Sequence, residues 1–264
     1  MRILLTTHSP FIVRGAPPGT NVCWLQDGNI ESQNRNLVEV ALGWGAFGKQ
    51  LIIVSEDSDT ALLRKIVAQW PEIDRATAFY PGNGYTNVPT PKQAKELAET
   101  LGGKFKILVH RDRDSLSDEE VAELIARYEA EGVGLWLPTE SDVEAYFCQP
   151  DFLEILLSCP LQQALDYVTD VLTQHVVPLR DQFNSQRAAH NDELHKAGGS
   201  PTNDAVWAAF QHRPLKGAKG KSVFKQLKNK IPGGAFSPDE ILRATFGGQV
   251  ALDLKHRMDQ ILAN

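Results

Sequence analysis

The amino-acid sequence predicts an α/β fold, with a doubly wound, largely parallel sheet followed by a helical C-terminal region. Four apolar segments with strand character alternate with amphipathic helical segments between residues 51 and 137, and such alternation is typical of parallel sheets with crossover helices. Beyond Pro150 the apolar residues recur at helical spacing. We therefore divide the 264-residue chain into an N-terminal unit at 1–48, an α/β core at 49–150 and a helical region at 151–264.

The N-terminal unit contains two β signals. Residues 3–7 form an apolar and β-branched run that is typical of a buried strand. Asp27-Gly28 separates two short strand-like runs, 22–25 and 29–31, which predicts a β-hairpin. A glycine-containing connector at 43–49 leads into the core.

Each element of the core has a local signal. Strands are expected at 51–54, 76–80, 105–109 and 133–137, where apolar residues cluster. Helices are expected after the first strand, from Pro91 to residue 101, and from Ser117, which forms a capping box with Glu120. In the C-terminal region, the spacing predicts helices at roughly 151–176, 178–197, 203–211, 221–230 and 238–262.

Composition excludes several classes of protein. With 42% hydrophobic and 23% charged residues, the chain is unlike disordered, collagen-like and coiled-coil proteins. No stretch approaches the roughly 20 apolar residues needed to span a bilayer, and the first residues do not form a secretory signal, so we expect no membrane partner. Three cysteines without a C-x-x-C pair are typical of a cytoplasmic protein.

The net charge of −6 is unevenly distributed. No acidic residue lies between Ala205 and Pro238, and this stretch contains seven cations: Arg213, Lys216, Lys219, Lys221, Lys225, Lys228 and Lys230. An acidic part and a basic part in one chain suggest metal ions that face a polyanion. A solvated basic helix explains the same run equally well.

Three acidic clusters follow strands of the predicted sheet. Glu56, Asp57 and Asp59 come after the first strand, Asp112 and Asp114 after the third, and Glu140, Asp142 and Glu144 after the fourth. The carboxyl ends of parallel strands meet at one edge of a sheet, so we expect these side chains to converge there. For Asp114 taken alone, a helix cap is the simpler interpretation.

Converging carboxylates repel one another unless cations are present. An oxygen-only ligand set favours Mg²⁺ or Mn²⁺ over zinc, and the seven histidines show no zinc-binding spacing. Side chains two residues apart in an extended segment point to the same side, so Asp112 and Asp114 are suited to bridge two ions. Two such ions could activate water and stabilise the leaving oxygen, so the pattern predicts phosphodiester cleavage.

Several motifs resemble those of a known family. Residues 51–59, LIIVSEDSD, and 107–114, ILVHRDRD, resemble the glutamate and D-x-D motifs of Toprim domains. Residues 4–12, LLTTHSPFI, are similar to the strand and switch histidine that close the ATPase domain of ABC-type or RecF-like proteins. An ATPase ending followed by Toprim resembles the arrangement of OLD (overcoming lysogenization defect) nucleases, many of which serve antiphage defence.

The resemblance implies a Toprim-type, Rossmann-like core, with residues 1–48 as the remnant of an ATPase domain. It implies a DNA endonuclease that uses two Mg²⁺ or Mn²⁺ ions, with catalytic roles for Glu56, Asp112 and Lys221, the last from a Gly-Lys motif. The metal ligands would be Glu56, Asp59, Asp112, Asp114, Asp142 and Glu144. Contacts to the DNA backbone would come from Arg213, Lys216, Lys219, Lys225 and Lys228.

The sequence departs from the family pattern in two places. Asp57 stands where a glycine commonly follows the motif glutamate, and Thr60 stands where an aspartate is common, so Asp57 and Asp59 compete for one ligand role. No G-x-x-x-x-G-K-[ST] motif is present. We therefore expect the chain to be the C-terminal part of a longer protein whose ATPase domain is its partner, and to be monomeric without that domain.

Two other interpretations remain open. The segment from Val54 to Asp59 also resembles the acidic first turn of a receiver domain, in which Asp112 would accept a phosphoryl group. That interpretation leaves the acidic cluster at 140–144 and the basic helical extension unexplained. Alternatively, the chain is a scaffolding piece of a larger assembly, and its acidic residues are helix caps.

Overall fold

The computed structural model describes residues 24–26, 29–31, 49–82, 84, 88–101, 105–194, 198–245, 247 and 250–263. The strand expected at 3–7, the turn at 27–28 and most of the connector at 43–49 lie outside these residues. Strands β1 (Trp24–Gln26) and β2 (Asn29–Glu31) pair antiparallel, with Gln26 opposite Asn29. This pairing confirms the two arms of the predicted hairpin.

A four-stranded parallel sheet forms the centre of the molecule, as predicted. Its strands are β3 (Leu51–Ser55), β4 (Thr77–Tyr80), β5 (Lys106–His110) and β6 (Gly134–Trp136), in the order β4-β3-β5-β6. Val54 lies opposite both Tyr80 and Val109. The carboxyl ends of these strands therefore reach the same edge.

Helices cover both faces of the sheet, which is why β3 is buried along its whole length. Leu51 and Ile53 point into one apolar core, and Ile52 and Val54 point into a second core on the other face, because successive side chains of a strand alternate. The helices of this part are α1 (Ala61–Val67), α2 (Pro71–Ala76), α3 (Pro91–Thr100) and α4 (Asp118–Glu129).

Local signals explain where these helices begin. Ser117 and Glu120 form the predicted capping box of α4, and Thr90 forms another with Gln93 at the start of α3. Helix α2 was not predicted. Pro71 occupies its first turn, a position that suits proline because the missing N–H has no partner in a helix there.

The remainder of the described chain is helical, as expected, but two predicted helices were wrong. The single helix expected at 151–176 is broken at Ser158, whose φ of 49° is left-handed, and at Pro160. The helix expected at 238–262 also splits into two. The observed helices are α5 (Val143–Phe147), α6 (Pro150–Leu157), α7 (Leu161–Gln174), α8 (Val176–Leu194), α9 (Asn203–Ala209), α10 (Pro214–Gly217), α11 (Gly220–Lys230), α12 (Pro238–Arg243) and α13 (Leu252–Ala263).

The helical region shares its apolar core with the sheet. Ile53 of β3, Leu227 of α11 and Leu254 of α13 belong to one buried cluster. Helix α11 packs against α5 and α7, which places its first turn beside the segment that follows β6. No helix among the described residues is long and apolar enough to cross a membrane.

Candidate metal centre at the carboxyl edge of the sheet

The segments that follow β3 and β5 lie side by side. The backbone N–H of Glu56 donates to the carbonyl of His110 at 3.0 Å, and the backbone N–H of Asp112 donates to Oε2 of Glu56 at 3.1 Å. After β4, Gly82 N–H donates to the Asp57 carbonyl at 3.0 Å. A Cβ at Gly82 would overlap the carbonyl oxygen of Ser55, so this close approach requires glycine.

The Gly-Lys pair brings α11 to the same edge. Asp142 caps α5 by accepting from the backbone N–H of Ala145 at 3.0 Å, and its other oxygen accepts from the backbone N–H of Lys221 at 3.0 Å. A Cβ on Gly220 would overlap the Asp142 carboxylate, so glycine is required here as well. One buried carboxylate thus joins the N-termini of two helices, where backbone N–H groups favour negative charge.

The side chain of Lys221 lies between two carboxylates. Its Nζ is 2.7 Å from Oδ1 of Asp57 and 3.0 Å from Oδ2 of Asp112. Burial lowers the pKa of Lys221, but the charges of Asp112, Glu144 and Asp57 outweigh it and raise the pKa above its usual value. The lysine is therefore a permanent cation at this position.

We call Glu56, Asp57, Asp112, Asp142 and Glu144 the acidic edge. Burial, followed by the charge of Asp114, raises the pKa of Glu56 to about 7. Burial raises the pKa of Asp142 to about 6, although its two backbone partners oppose the shift. Burial and Asp142 together raise the pKa of Glu144 to about 7 and that of Asp112 well above its usual value. Burial first, and neighbouring carboxylates second, therefore make full ionisation of the acidic edge unfavourable.

Three buried atoms at this edge fit a metal ion. Asp112 Oδ1, Glu144 Oε2 and His110 Nε2 have no hydrogen-bond partner among the described residues, although buried polar groups normally have one. Asp57, His110 and Asp112 each offer one ligand atom, and these three atoms lie within 4.8 Å of one another. A divalent cation would satisfy these atoms and relieve the repulsion between the carboxylates.

The structure distinguishes between Asp57 and Asp59, which the sequence left as alternatives. Asp57 contacts Lys221 within the acidic edge. Asp59 is exposed, and its Oδ1 accepts from the backbone N–H of Ala61 at 2.9 Å, which closes a turn just before α1, whose N-cap is Thr60. Asp59 is therefore placed in the turn before α1, and its side-chain contact is with the backbone of Ala61 and not with the other candidate ligands.

Asp114 is held apart from the three-atom group. Its φ of 52° is left-handed, and its backbone N–H donates to the carbonyl of Ser141 at 2.7 Å. Its Oδ1 accepts from Gln186 of α8 at 2.6 Å and lies 3.6 Å from Nζ of Lys219. Asp114 thus faces the helical region, on the side of the site where Lys219 lies.

Sequence reasoning did not identify His110 as a site residue. The ring is fully buried, and burial lowers its pKa to about 4, so it is neutral at pH 7. The signal was the alternation already used for the D-x-D motif, because His110 and Asp112 are two residues apart in an extended segment, although the left-handed backbone of Asp114 ends that alternation. No zinc-binding spacing marks His110, because its neighbours in the site are carboxylates. Gln186 had no local signal, because α8 reaches the site only through tertiary packing.

The five predicted DNA-binding cations occupy different surroundings. Lys216 is buried, and its Nζ lies 2.7 Å from Oδ1 of Asp118, while Arg213 pairs with the buried Glu140. Lys225 and Lys228 lie on the exposed side of α11 and form no ion pair with any residue that the structure describes. In the basic run, Arg213 and Lys216 therefore form ion pairs within the fold, whereas Lys225 and Lys228 are open to solvent.

Comparisons with known proteins indicate no family for this chain. It matches no protein-family model, and neither a curated protein nor a solved structure matches it. What the fold and the site define is an α/β protein with an acidic edge and a lysine at the ends of its parallel strands.

Proposed function

We propose that the protein is a divalent-metal-dependent endonuclease that hydrolyses DNA phosphodiester bonds. The observation that supports this most is the acidic edge, where one buried carboxylate oxygen of Asp112 and one of Glu144 have no hydrogen-bond partner in the described part of the chain, beside the ammonium of Lys221. A structural cluster of acids would be paired internally. A site for cations and a phosphate leaves such atoms open.

Within this proposal, the acidic edge holds Mg²⁺ or Mn²⁺. Glu56, Asp57 and Asp112 would hold one ion, and Asp114, Asp142 and Glu144 would contribute to a second. Bound ions supply an activated water and neutralise charge on the leaving oxygen. Asp142 also joins α5 to α11, so the same carboxylate orients the backbone that presents Lys221.

Lys221 supplies a positive charge for the phosphate at the transition state. Its carboxylate partners keep it protonated, and its aliphatic stem is anchored at the first turn of α11. A preorganised cation of this kind stabilises developing negative charge without reorganisation during the reaction. Substitution of such a donor costs about 10²–10³ in turnover.

The DNA backbone would cross the open surface beside the acidic edge. Lys219 lies just before α11, Lys225 lies in the middle of the helix and Lys228 lies in its last turn, and these three lysines would contact phosphates. Arg213 is half exposed and can reach a phosphate from its place beside Glu140. Such contacts carry no sequence information and weaken steeply with salt. We assign Lys216 to support of the fold, because Asp118 already binds it.

The placement of the motifs supports a Toprim-type core from an OLD family nuclease. Glu56 follows the first strand of the sheet, Asp112 and Asp114 follow the third, and the Gly220-Lys221 pair lies against the acidic edge. A partner ATPase domain, a role in antiphage defence and a cytoplasmic location belong to the same proposal.

Asp112 could instead accept a phosphoryl group, as in a receiver domain. The observation that favours this second candidate is the contact of Asp112 with Lys221 at 3.0 Å, with Asp57 on the other side of the lysine. Incubation with acetyl phosphate would then add the mass of one phosphoryl group to the wild type and none to Asp112→Asn. Absence of this adduct from the folded wild type rejects the receiver function.

Cleavage of supercoiled plasmid tests the nuclease function. We expect nicking or linearisation in Mg²⁺ or Mn²⁺, none in EDTA, and none from Asp112→Asn. Asp59→Asn is the matched control, because an asparagine side chain accepts the same backbone hydrogen bond in the turn before α1, and we expect it to cleave like the wild type. Cleavage by Asp112→Asn would contradict the proposal, as would inactivity of the folded wild type with every metal and DNA substrate.

A further inference from the structure

His110 and Asp112 face each other across a gap. The His110 ring is fully buried and Asp112 is 3% exposed. His110 Nε2 and Asp112 Oδ1 are 3.6 Å apart, which is too long for a hydrogen bond. Neither atom has a hydrogen-bond partner within the described part of the chain. Two buried polar atoms without hydrogen bonds cost free energy, so we expect a ligand that binds both atoms.

The other ring nitrogen of His110 is already engaged. Its Nδ1 lies 3.0 Å from Oγ of Ser55, and the same hydroxyl accepts from the backbone N–H of Asp57 at 3.1 Å. Histidines that bind metals commonly use one nitrogen for a hydrogen bond that fixes the tautomer and the ring orientation. Ser55 therefore orients two of the three residues whose ligand atoms lie together.

Asp112 divides its two oxygens between different partners. Oδ2 receives the ammonium of Lys221 at 3.0 Å, whereas Oδ1 faces His110. A cation between His110 and Asp112 would therefore use the oxygen that Lys221 leaves free. The ring of His110 also packs against Trp136, with centroids 4.9 Å apart, which holds the imidazole in place.

We infer that His110 Nε2 is a metal ligand together with Asp57 and Asp112, and that the site selects a first-row transition ion such as Mn²⁺ over Mg²⁺. This inference rests on the proposed function, because it names the ion class of the same acidic edge. Imidazole nitrogen suits first-row transition ions such as iron and zinc, and Mn²⁺ belongs to that series while sharing with Mg²⁺ the preference for carboxylates, carbonyls and water. With one nitrogen ligand added, the site is no longer the oxygen-only set that the sequence predicted.

Mn²⁺ alone is the probe, without DNA or cleavage. The metal-free chain is loaded with less than one equivalent of Mn²⁺, and pulsed electron paramagnetic resonance records coupling of the ion to nitrogen. We expect ¹⁴N coupling in the wild type and its loss in His110→Gln. His190→Gln is the matched control, because His190 is a second buried histidine near the site among the described residues, 4.0 Å from Asp114, and there the coupling should persist.

Affinity provides a second readout. Loss of His110 should weaken Mn²⁺ binding by about 10-fold or more, since even a hydrogen-bond partner of a ligand is worth that much. Mg²⁺ affinity should change by less than about threefold, because Mg²⁺ gains little from imidazole. Equal losses for the two ions would overturn the proposed selectivity.

Labelling of the wild type with ¹⁵N-histidine keeps the test valid should His110→Gln fail to fold. The ¹⁴N signal should then be replaced by ¹⁵N coupling. Mn²⁺ bound without histidine coupling, or coupling that disappears in His190→Gln instead, overturns the inference. Cleavage with Mg²⁺ in either of those cases leaves the nuclease function standing, whereas histidine coupling without any cleavage supports His110 as a ligand and counts against the nuclease.

Discussion

Two acidic clusters of this protein lie close together, and the pKa values of their carboxylates are shifted in opposite directions. At the start of α4, Asp118 pairs with Arg113 and Lys216, and Glu120 pairs with the fully buried Arg187. We call these five residues the paired cluster. Burial raises the pKa of both its carboxylates, but hydrogen bonds from the cations outweigh it, and both pKa values lie below their usual range.

At the acidic edge, hydrogen bonds and nearby cations do not outweigh the effect of burial on the carboxylate pKa values. The pKa of Glu56, Asp112, Asp142 and Glu144 is raised, even though Lys221 binds Asp112. The two regions therefore differ in how well cations balance the carboxylates, and not in the abundance of acidic residues. Composition cannot show this difference. The carboxylates of the paired cluster have cations of the chain beside them, whereas the raised pKa values at the acidic edge are what the proposed cation site would explain.

Arg187→Met would break the paired cluster and should have the largest effect on stability. Glu120, 4% exposed, would keep its charge and its hydrogen bonds from Ser117 and Ser200 but lose the buried guanidinium, and loss of one member of a buried ion pair costs about 3–5 kcal/mol. Chemical denaturation measures the change in the free energy of unfolding. Arg180→Met is the control, because the Arg180–Asp204 pair is exposed and exposed pairs contribute little. Equal effects of the two substitutions would refute the distinction.

Lys221→Met would remove the cation that touches the acidic edge. We expect cleavage turnover to fall by about 10²–10³, as for other preorganised donors to a developing charge, while binding of DNA changes less. Single-turnover cleavage and a gel-shift titration separate the two effects. Lys225→Met provides the control on the same helix. Unchanged turnover would make Lys221 a structural counter-ion only.

Glu144→Gln would reduce the repulsion at the acidic edge. The folded pKa of about 7 lies above the ordinary value of 4.5, so the folded state binds more protons between these pH values, and stability falls as pH rises through them. Without divalent ions, the variant should be more stable than the wild type at pH 8. The difference should vanish near pH 4. Thermal unfolding at both pH values measures it, and a wild type that is the more stable at pH 8 would contradict the raised pKa.

The smallest effects are expected from single exposed cations of α11. Lys225→Ala and Lys228→Ala should each weaken DNA binding for all sequences alike and reduce the slope of log affinity against log salt by about 1. Fluorescence anisotropy at several salt concentrations measures this slope. Stability should stay the same, in contrast to Lys216→Ala, which removes a partner of Asp118. An unchanged slope would remove α11 from the DNA-binding surface.

The fold was largely predictable from the sequence because its signals are local. The four strands of the sheet are apolar runs, and the capping box of Ser117 and Glu120 marks the start of α4. The break at Ser158 was not predictable in this way, because a left-handed serine has no pattern of its own. Helix α2 was missed because Pro71 can end one helix or begin the next.

The candidate site was predictable only in part. The positions of Asp112 and Lys221 follow from motifs, and the structure brings their side chains together. The choice between Asp57 and Asp59 depends on which way each side chain turns after β3. The binding of Lys216 to Asp118 depends on contacts between residues 98 positions apart. Such long-range pairing decides which charges are balanced, and no local pattern contains it.

The most direct test of the account is the effect of a divalent ion on thermal unfolding at pH 8. In metal-free buffer and then in Mn²⁺ at 100 times its dissociation constant, the wild type should gain about 2.7 kcal/mol, or roughly 5–10 °C in Tm for a domain of this size. Asp112→Asn should gain far less, while Glu120→Gln, in the paired cluster, should respond to Mn²⁺ like the wild type. An equal gain in all three proteins, or none in the wild type, would contradict a cation site at the acidic edge.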